Sequence, residues 1–214
     1  MTVIDHRLLN WRFVVPSLPD GLLLLPAADE AGEVPAAVVC DPGLAALRAR
    51  TYPAVVVADL GRWSGGEAGQ GDPGRGHGGG RELLSRAAEA VAPGGWLYVS
   101  FANPWYPLRS HGGAALTLAA AGRVLRDAGL RPSSAWLAFP DQRTTAYLVP
   151  ARGGPELEYF MRTFFFPYAT GQSARKARIK QRALTLMRGA ALLAPARLRP
   201  RFAPAFAVVA ERPA

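Results

Sequence analysis

Three clusters in the sequence bring together residue types that could do chemistry. Glycine takes nine of the sixteen positions in 65–80, and two overlapping GxGxxG spacings fall there, Gly69-Gly71-Gly74 and Gly74-Gly76-Gly79. Such a spacing cradles a phosphate when it follows a strand directly and opens a helix, because bare glycine amides and the helix N-terminus then face the anion. Neither match has that context, so 65–80 is expected to be a mobile loop excluded from helix and strand, with His77 solvated. Asn103-Pro104-Trp105-Tyr106 sets a side-chain amide beside two aromatic rings. That group either grips a planar polar ligand or forms a packed turn, and the turn is the reading adopted. The third cluster, Arg175, Lys176, Arg178, Lys180 and Arg182, carries five cations within eight residues, a docking surface for an anionic partner. No acid–base pair stands out and no catalytic residue is assigned. His6, His77 and His111 are too scattered, and a single cysteine too scarce, for a metal site.

The chain that must position these groups has 214 residues, enough for one α/β domain and a modest appendage. Its longest apolar runs, such as 22–25 and 55–58, fall far short of the ~20 residues that span a bilayer, and the N-terminus carries Asp5, His6 and Arg7 in place of a secretory apolar stretch. A cytoplasmic location is expected. Cys40 has no partner for a disulfide and reads as a small buried hydrophobe. Residues 1–150 balance 13 arginines against 13 carboxylates, whereas 151–214 hold 12 Lys or Arg against Glu156, Glu158 and Glu211, so the formal charge of +9 lies entirely in the last part. A neutral body with a basic extension implies an anionic partner, either a protein with an acidic surface or, peripherally, a membrane. Sequence-specific nucleic-acid binding is not expected, since neither helix-turn-helix nor zinc spacing accompanies the charge.

Periodicity divides the chain into a strand at 22–25, a second at 36–40, a short helix at 44–50 and a β-branched strand at 54–58 ending in Asp59. Apolar residues 83, 84, 87, 88 and 91 mark an amphipathic helix closed by Pro93-Gly94-Gly95, followed by a strand at 96–101. A helix at 116–128 and strands at 134–139 and 144–149 complete the alternation expected of a parallel, doubly wound sheet. In the extension, placing 172–194 on a helix aligns Ile179, Ala183, Leu186, Ala190 and Leu193 in one stripe. Either that stripe packs on the body with its arginines in water, or the helix docks on an acidic partner or an anionic membrane.

Taken in order, LLSRAAEAVAPGGWLYVSF within 82–101, the strand 52–59 with its terminal acid and GRVLRDAGLRPSSAW at 122–136 resemble the class I S-adenosylmethionine-dependent methyltransferases. The match covers roughly 52–150, with 145–150 similar to the family's last, antiparallel strand. The resemblance implies a Rossmann-like domain over 1–150 and a cofactor held by the first two strand–helix units: a glycine loop after strand one and an acid after strand two. After 22–25, however, the sequence supplies Pro26 and then two carboxylates with a single glycine. The stretch 22–54 has room for about one βαβ unit of roughly 30 residues. Asp41, Gly43 and Asp59 are the only candidates for cofactor contacts, and Asn103, Trp105, Tyr106 and His111 would line any pocket at the strand ends. The function expected is that of an accessory or binding protein whose cofactor site has decayed and which supports a partner enzyme, with no cofactor bound. The alternative is an active methyltransferase that holds S-adenosylmethionine and acts on a small molecule or peptide.

Overall fold

A computed structural model of the chain describes residues 6–26, 34, 37–40, 44–63, 76–106, 114–142, 144–152, 154–163 and 174–214. Apolar runs bounded by Pro and Gly become strands: β1 (Leu23–Leu25), β2 (Val38–Val39), β3 (Tyr52–Val57), β4 (Val91–Ala102), β5 (Arg131–Phe139), β6 (Tyr147–Pro150) and β7 (Ala205–Glu211). They form one seven-stranded sheet in the order β2-β1-β3-β4-β7-β5-β6. β2, β1, β3 and β4 are parallel; β7 runs antiparallel between β4 and β5, and β6 antiparallel to β5 at the edge. The helices are α1 (Ala46–Ala49), α2 (Leu60–Trp63), α3 (Gly76–Glu89), α4 (Leu118–Asp127), α5 (Pro155–Thr163) and α6 (Ala174–Leu193), with 3-10 helices at His6–Phe13 and Ala196–Phe202. This is an α/β Rossmann-like fold, as expected, with two antiparallel strands in the half of the sheet beyond β4.

Alternation along each strand divides the buried side chains between two faces. Leu23, Leu25, Val55, Val57, Leu97, Val99, Phe101, Phe206 and Val208 pack with Leu83 and Leu84 of α3, Leu125 of α4 and Leu157 and Phe160 of α5. On the other face Leu22, Leu24, Val56, Trp96, Tyr98 and Val209 meet Leu9 and Trp11 of the N-terminal 3-10 helix. No helix among the described residues is long and apolar enough to cross a membrane.

Three expectations are corrected. The glycine-rich stretch is not excluded from helix throughout, because α3 begins at Gly76. Packing overrides the poor helix propensity of glycine: a Cβ on Gly80 would lie 2.3 Å from the Ala114 Cβ, so only a glycine lets this turn approach residue 114. Residues 65–75 of the expected loop lie outside the described residues. Pro93-Gly94-Gly95 does not end the preceding helix, which stops at Glu89; it forms a bulge inside β4. Tyr52 pairs with Val91 but Ala54 with Trp96, so the extra residues loop out of register. Gly94 takes φ +73°, its N–H donates to the Arg212 carbonyl, and the Gly95 carbonyl accepts from Arg212 N–H. Finally, the strand at 145–150 is antiparallel but sits at the edge, and the last antiparallel strand is β7. Its continuous apolar run, AFAVVA, is the signature of a strand buried on both faces. The C-terminal residues thereby contribute an interior strand, and α5, which buries Leu157, Phe160 and Met161, also lies beyond residue 150.

Glu158 of α5 fastens this region to the second 3-10 helix. Its carboxylate accepts from Arg199 at 2.9 Å and meets Arg162 at 2.7 Å. The Arg199 hydrogen bond, followed by the charges of Arg162 and Arg199, holds its carboxyl below the usual glutamate range. A lowered folded-state pKa contributes stability above the ordinary glutamate value and loses it as pH falls through the lowered one. Glu158→Gln should therefore lower the melting temperature near neutral pH, and the gap to the parent should close on acidification; a constant gap would contradict the account. Gly95→Ala tests the bulge, since a Cβ there would lie 2.6 Å from the Pro53 carbonyl oxygen. Chemical denaturation should show a loss of about 1–3 kcal/mol from overpacking.

Candidate functional site

Ligands of open α/β sheets bind outside the carboxyl ends of the strands where the strand order reverses. Here β1 leads to β2 on one side while β3 lies on the other, so the switch point falls between β1 and β3. β1 ends at the buried Pro26, and the Leu25 carbonyl already accepts from Ala58 N–H at 3.0 Å. β3 ends at the buried Asp59, whose Oδ1 accepts from Gly61 N–H at 3.0 Å and so caps α2. That single turn of helix carries Trp63 back over β1, where the indole N–H donates to the Pro26 carbonyl at 2.9 Å. A side chain from after β3 thus bridges to the end of β1. Sequence reasoning misses Trp63; its only signal is an aromatic one turn beyond the acid that ends a strand.

Asn103, at the end of β4, is fully buried and its amide is committed to main chain. Nδ2 donates to the Arg201 carbonyl at 2.9 Å and to the Ala203 carbonyl at 2.7 Å, while Oδ1 accepts from Trp105 N–H at 3.0 Å. Tyr106 N–H closes the turn onto the Asn103 carbonyl. Asn103-Pro104-Trp105-Tyr106 is a packed turn whose amide clips the C-terminal segment to β4. Trp105 is exposed with the Arg201 guanidinium 5.8 Å from its ring centre. Burial pushes the Tyr106 phenol up to about 12, so it stays protonated near neutral pH and offers a donor, not a base.

The structure brings Asp59 and Asn103 to the ends of adjacent strands, with Trp105 and Tyr106 in the turn beyond. Asp41, Gly43 and His111 lie outside the described residues. Arg175, Lys176, Arg178, Lys180 and Arg182 all fall on α6, where Arg178 and Arg182 are exposed. Among the described residues no group of His, Cys, Asp and Glu could hold a metal ion. A separate shallow cleft of about 380 Å³ lies between β6 and α5, lined by Tyr147, Tyr159 and Phe160 with Glu156 at its lip.

No protein-family model matches the chain, and no curated protein matches it in sequence. Solved structures that resemble it include the N-methyltransferase NodS of Bradyrhizobium japonicum WM9, with 14% identity, TM-score 0.44, and 98% of this chain and 94% of that one covered. A SAM-dependent methyltransferase of Archaeoglobus fulgidus gives 11% identity and TM-score 0.45 over 96% and 92% of the two chains. The [4+2]-cyclase SpnF gives 14% identity and TM-score 0.43 over 92% and 77%. Likenesses this distant leave activity to be read from the chain's own residues.

The Asn103 geometry makes a prediction. Asn103→Leu removes both donors and the acceptor at once, leaving the buried Ala203 carbonyl unpaired at about 1–3 kcal/mol and two part-buried main-chain groups without their partner. Chemical denaturation should report a loss of at least that size, with earlier proteolysis near 201–204. A variant as stable as the parent would mean that the amide is free for another role.

Proposed function

We propose that this chain is an accessory or binding protein on a methyltransferase-like scaffold, one that has lost its hold on S-adenosylmethionine and supports a partner enzyme. The observation that carries this reading is the bridge from Trp63 to Pro26 at the switch point. A dinucleotide or nucleoside ligand at that position needs unoccupied main-chain groups just beyond the first strand, where backbone can approach closely. The Pro26 carbonyl instead accepts from the Trp63 indole N–H at 2.9 Å.

Two further features favour the same reading. β1 and β2 are parallel yet separated only by residues 26–37, close to the shortest connection a parallel crossover allows. At the ends of β3 and β4 the polar groups that a cofactor or substrate would use have other work, Asp59 as a helix cap and Asn103 as a main-chain clip. The described residues therefore fit the cofactor poorly and supply no group for a methyl-transfer step. Support of a partner draws on the charge distribution: an excess of +9 confined to 151–214 favours attraction to an acidic surface.

Calorimetry with S-adenosylmethionine tests the reading. No saturable heat is expected from the parent protein. Micromolar binding that Asp41→Ala abolishes would overturn it in favour of an active methyltransferase. Binding that appears only in Trp63→Ala would support it, by showing that the indole is what closes the site in the parent.

A further inference from the structure

α6 presents to solvent the stripe that the sequence offered either to the body or to a partner. Ile179, Leu186 and Leu193 are 61%, 75% and 89% exposed, Ala190 is exposed and Ala183 half-buried. The opposite side faces the molecule: Ala191 is 1% exposed in the main core, Leu192 packs against that core, and the Arg188 guanidinium donates to the Arg162 carbonyl of α5. Of the two alternatives the sequence left open, the one in which this stripe packs on the body is thereby excluded. Residues 191 and 192 anchor the helix, and the helical repeat turns 179, 186 and 193 outward.

Positions 179, 183, 186, 190 and 193 alternate steps of four and three, the spacing of a coiled-coil seam, with large side chains alternating with alanine. A strict seam of this kind is narrower than the apolar face by which a helix buries itself in a core. It is also narrower than the face of an interfacial membrane helix, and α6 has none of the Trp or Phe that anchor such helices. The helix holds no Asp or Glu, only Lys and Arg among its charged residues. Positions 175 and 182 follow one border of the seam and 180 the other, while 176 continues the line of the seam at its N-terminal end. A second copy of α6 would set cation against cation in either orientation, which disfavours self-pairing. A partner helix bearing carboxylates beside its own apolar seam meets both requirements.

We propose that α6 is a docking helix whose exposed line Ile179, Leu186, Leu193 receives an apolar-seamed, acid-flanked helix of a partner protein. This rests on the accessory-protein reading for the existence of a protein partner, but its surface is distinct from the strand ends.

The test uses the full chain and labelled synthetic helical peptides with Leu at the seam and either Glu or Lys at the flanks, followed by fluorescence anisotropy. The Glu-flanked peptide should bind saturably and more weakly as salt rises, while the Lys-flanked peptide should not bind. Ile179→Ala, Leu186→Ala and Leu193→Ala together should weaken binding at least about tenfold, since truncated interface anchors each cost more than about 1 kcal/mol. All three side chains are exposed, so the melting temperature should hold. Arg178→Gln with Arg182→Gln provides a second variant and should slow association more than it speeds release. Failure of the Glu-flanked peptide to bind, equal binding of both peptides, or unchanged binding by the triple variant would overturn the proposal. So would attachment to phosphatidylserine vesicles that the triple variant loses, which would make the face a membrane surface. If the peptide fails and S-adenosylmethionine also does not bind, only the docking surface falls; if both bind, the surface stands and the accessory reading falls.

Discussion

β7 joins two parts of the sheet that do not pair with each other directly, and the fold depends on how it is held. β4 belongs to the parallel half, β5 and β6 form a hairpin, and β7 pairs with β4 from Trp96 to Ala102 and with β5 from Arg131 to Ala138. Main-chain pairing along two neighbours satisfies its polar groups, but its place between them is fixed at its ends. At one end Asn103 spends its whole amide on carbonyls at 201 and 203 and on Trp105 N–H. At the other, the Arg212 backbone pairs with Gly94 and Gly95 in the β4 bulge, and its guanidinium donates to the Ala88 and Ala128 carbonyls, where α3 and α4 end. Cations at helix C-termini satisfy orphan carbonyls and complement the helix dipole. The bulge glycines and the buried asparagine are thus two halves of one fastening.

That fastening also takes up polar groups that the described residues place at the strand ends. In the sequence Asn103 is a group able to hold a planar amide, yet the same amide is needed to secure a strand that arrives from the chain's end. Asp59 is drawn into capping a helix of four residues, and the helix is placed so that Trp63 reaches β1. Each of these polar groups near the switch point thus serves the scaffold, while the concentrated positive charge lies on α6.

What is legible in the sequence follows from local signals. Period-two and continuous apolar runs locate β1, β3, β4 and β5, and helical spacing locates α4 and the last turns of α3. Non-local causes hide the rest. The helix runs through glycines, and at Gly80 it approaches Ala114 so closely that a Cβ would collide, a contact between distant segments that no propensity encodes. Pro93-Gly94-Gly95 has the composition of a helix stop, and only the pairing of its neighbours with Tyr52 and Ala54 reveals a bulge. β7 escapes a reading dominated by the basic residues before it, although its apolar run matches that of β3. At the site, Asn103 reads as part of a turn, and its bonds to 201 and 203 make it a clip across the chain. Trp63 is invisible, since its role depends on where a single helical turn aims it. On α6 the stripe itself is legible, but its direction is decided by anchoring at Ala191 and Leu192 near the end of the helix.

The central claim is that the indole of Trp63 closes the switch point against a cofactor, and one spectrum addresses it. The chain has five tryptophans, so the indole N–H region of a nitrogen–proton correlation spectrum should hold five side-chain peaks, with Trp63 identified by its loss in Trp63→Phe. On titration with S-adenosylmethionine the account predicts that this peak stays in place, its proton retained on the Pro26 carbonyl. A saturable shift of the Trp63 indole peak, with the others unmoved, would contradict it.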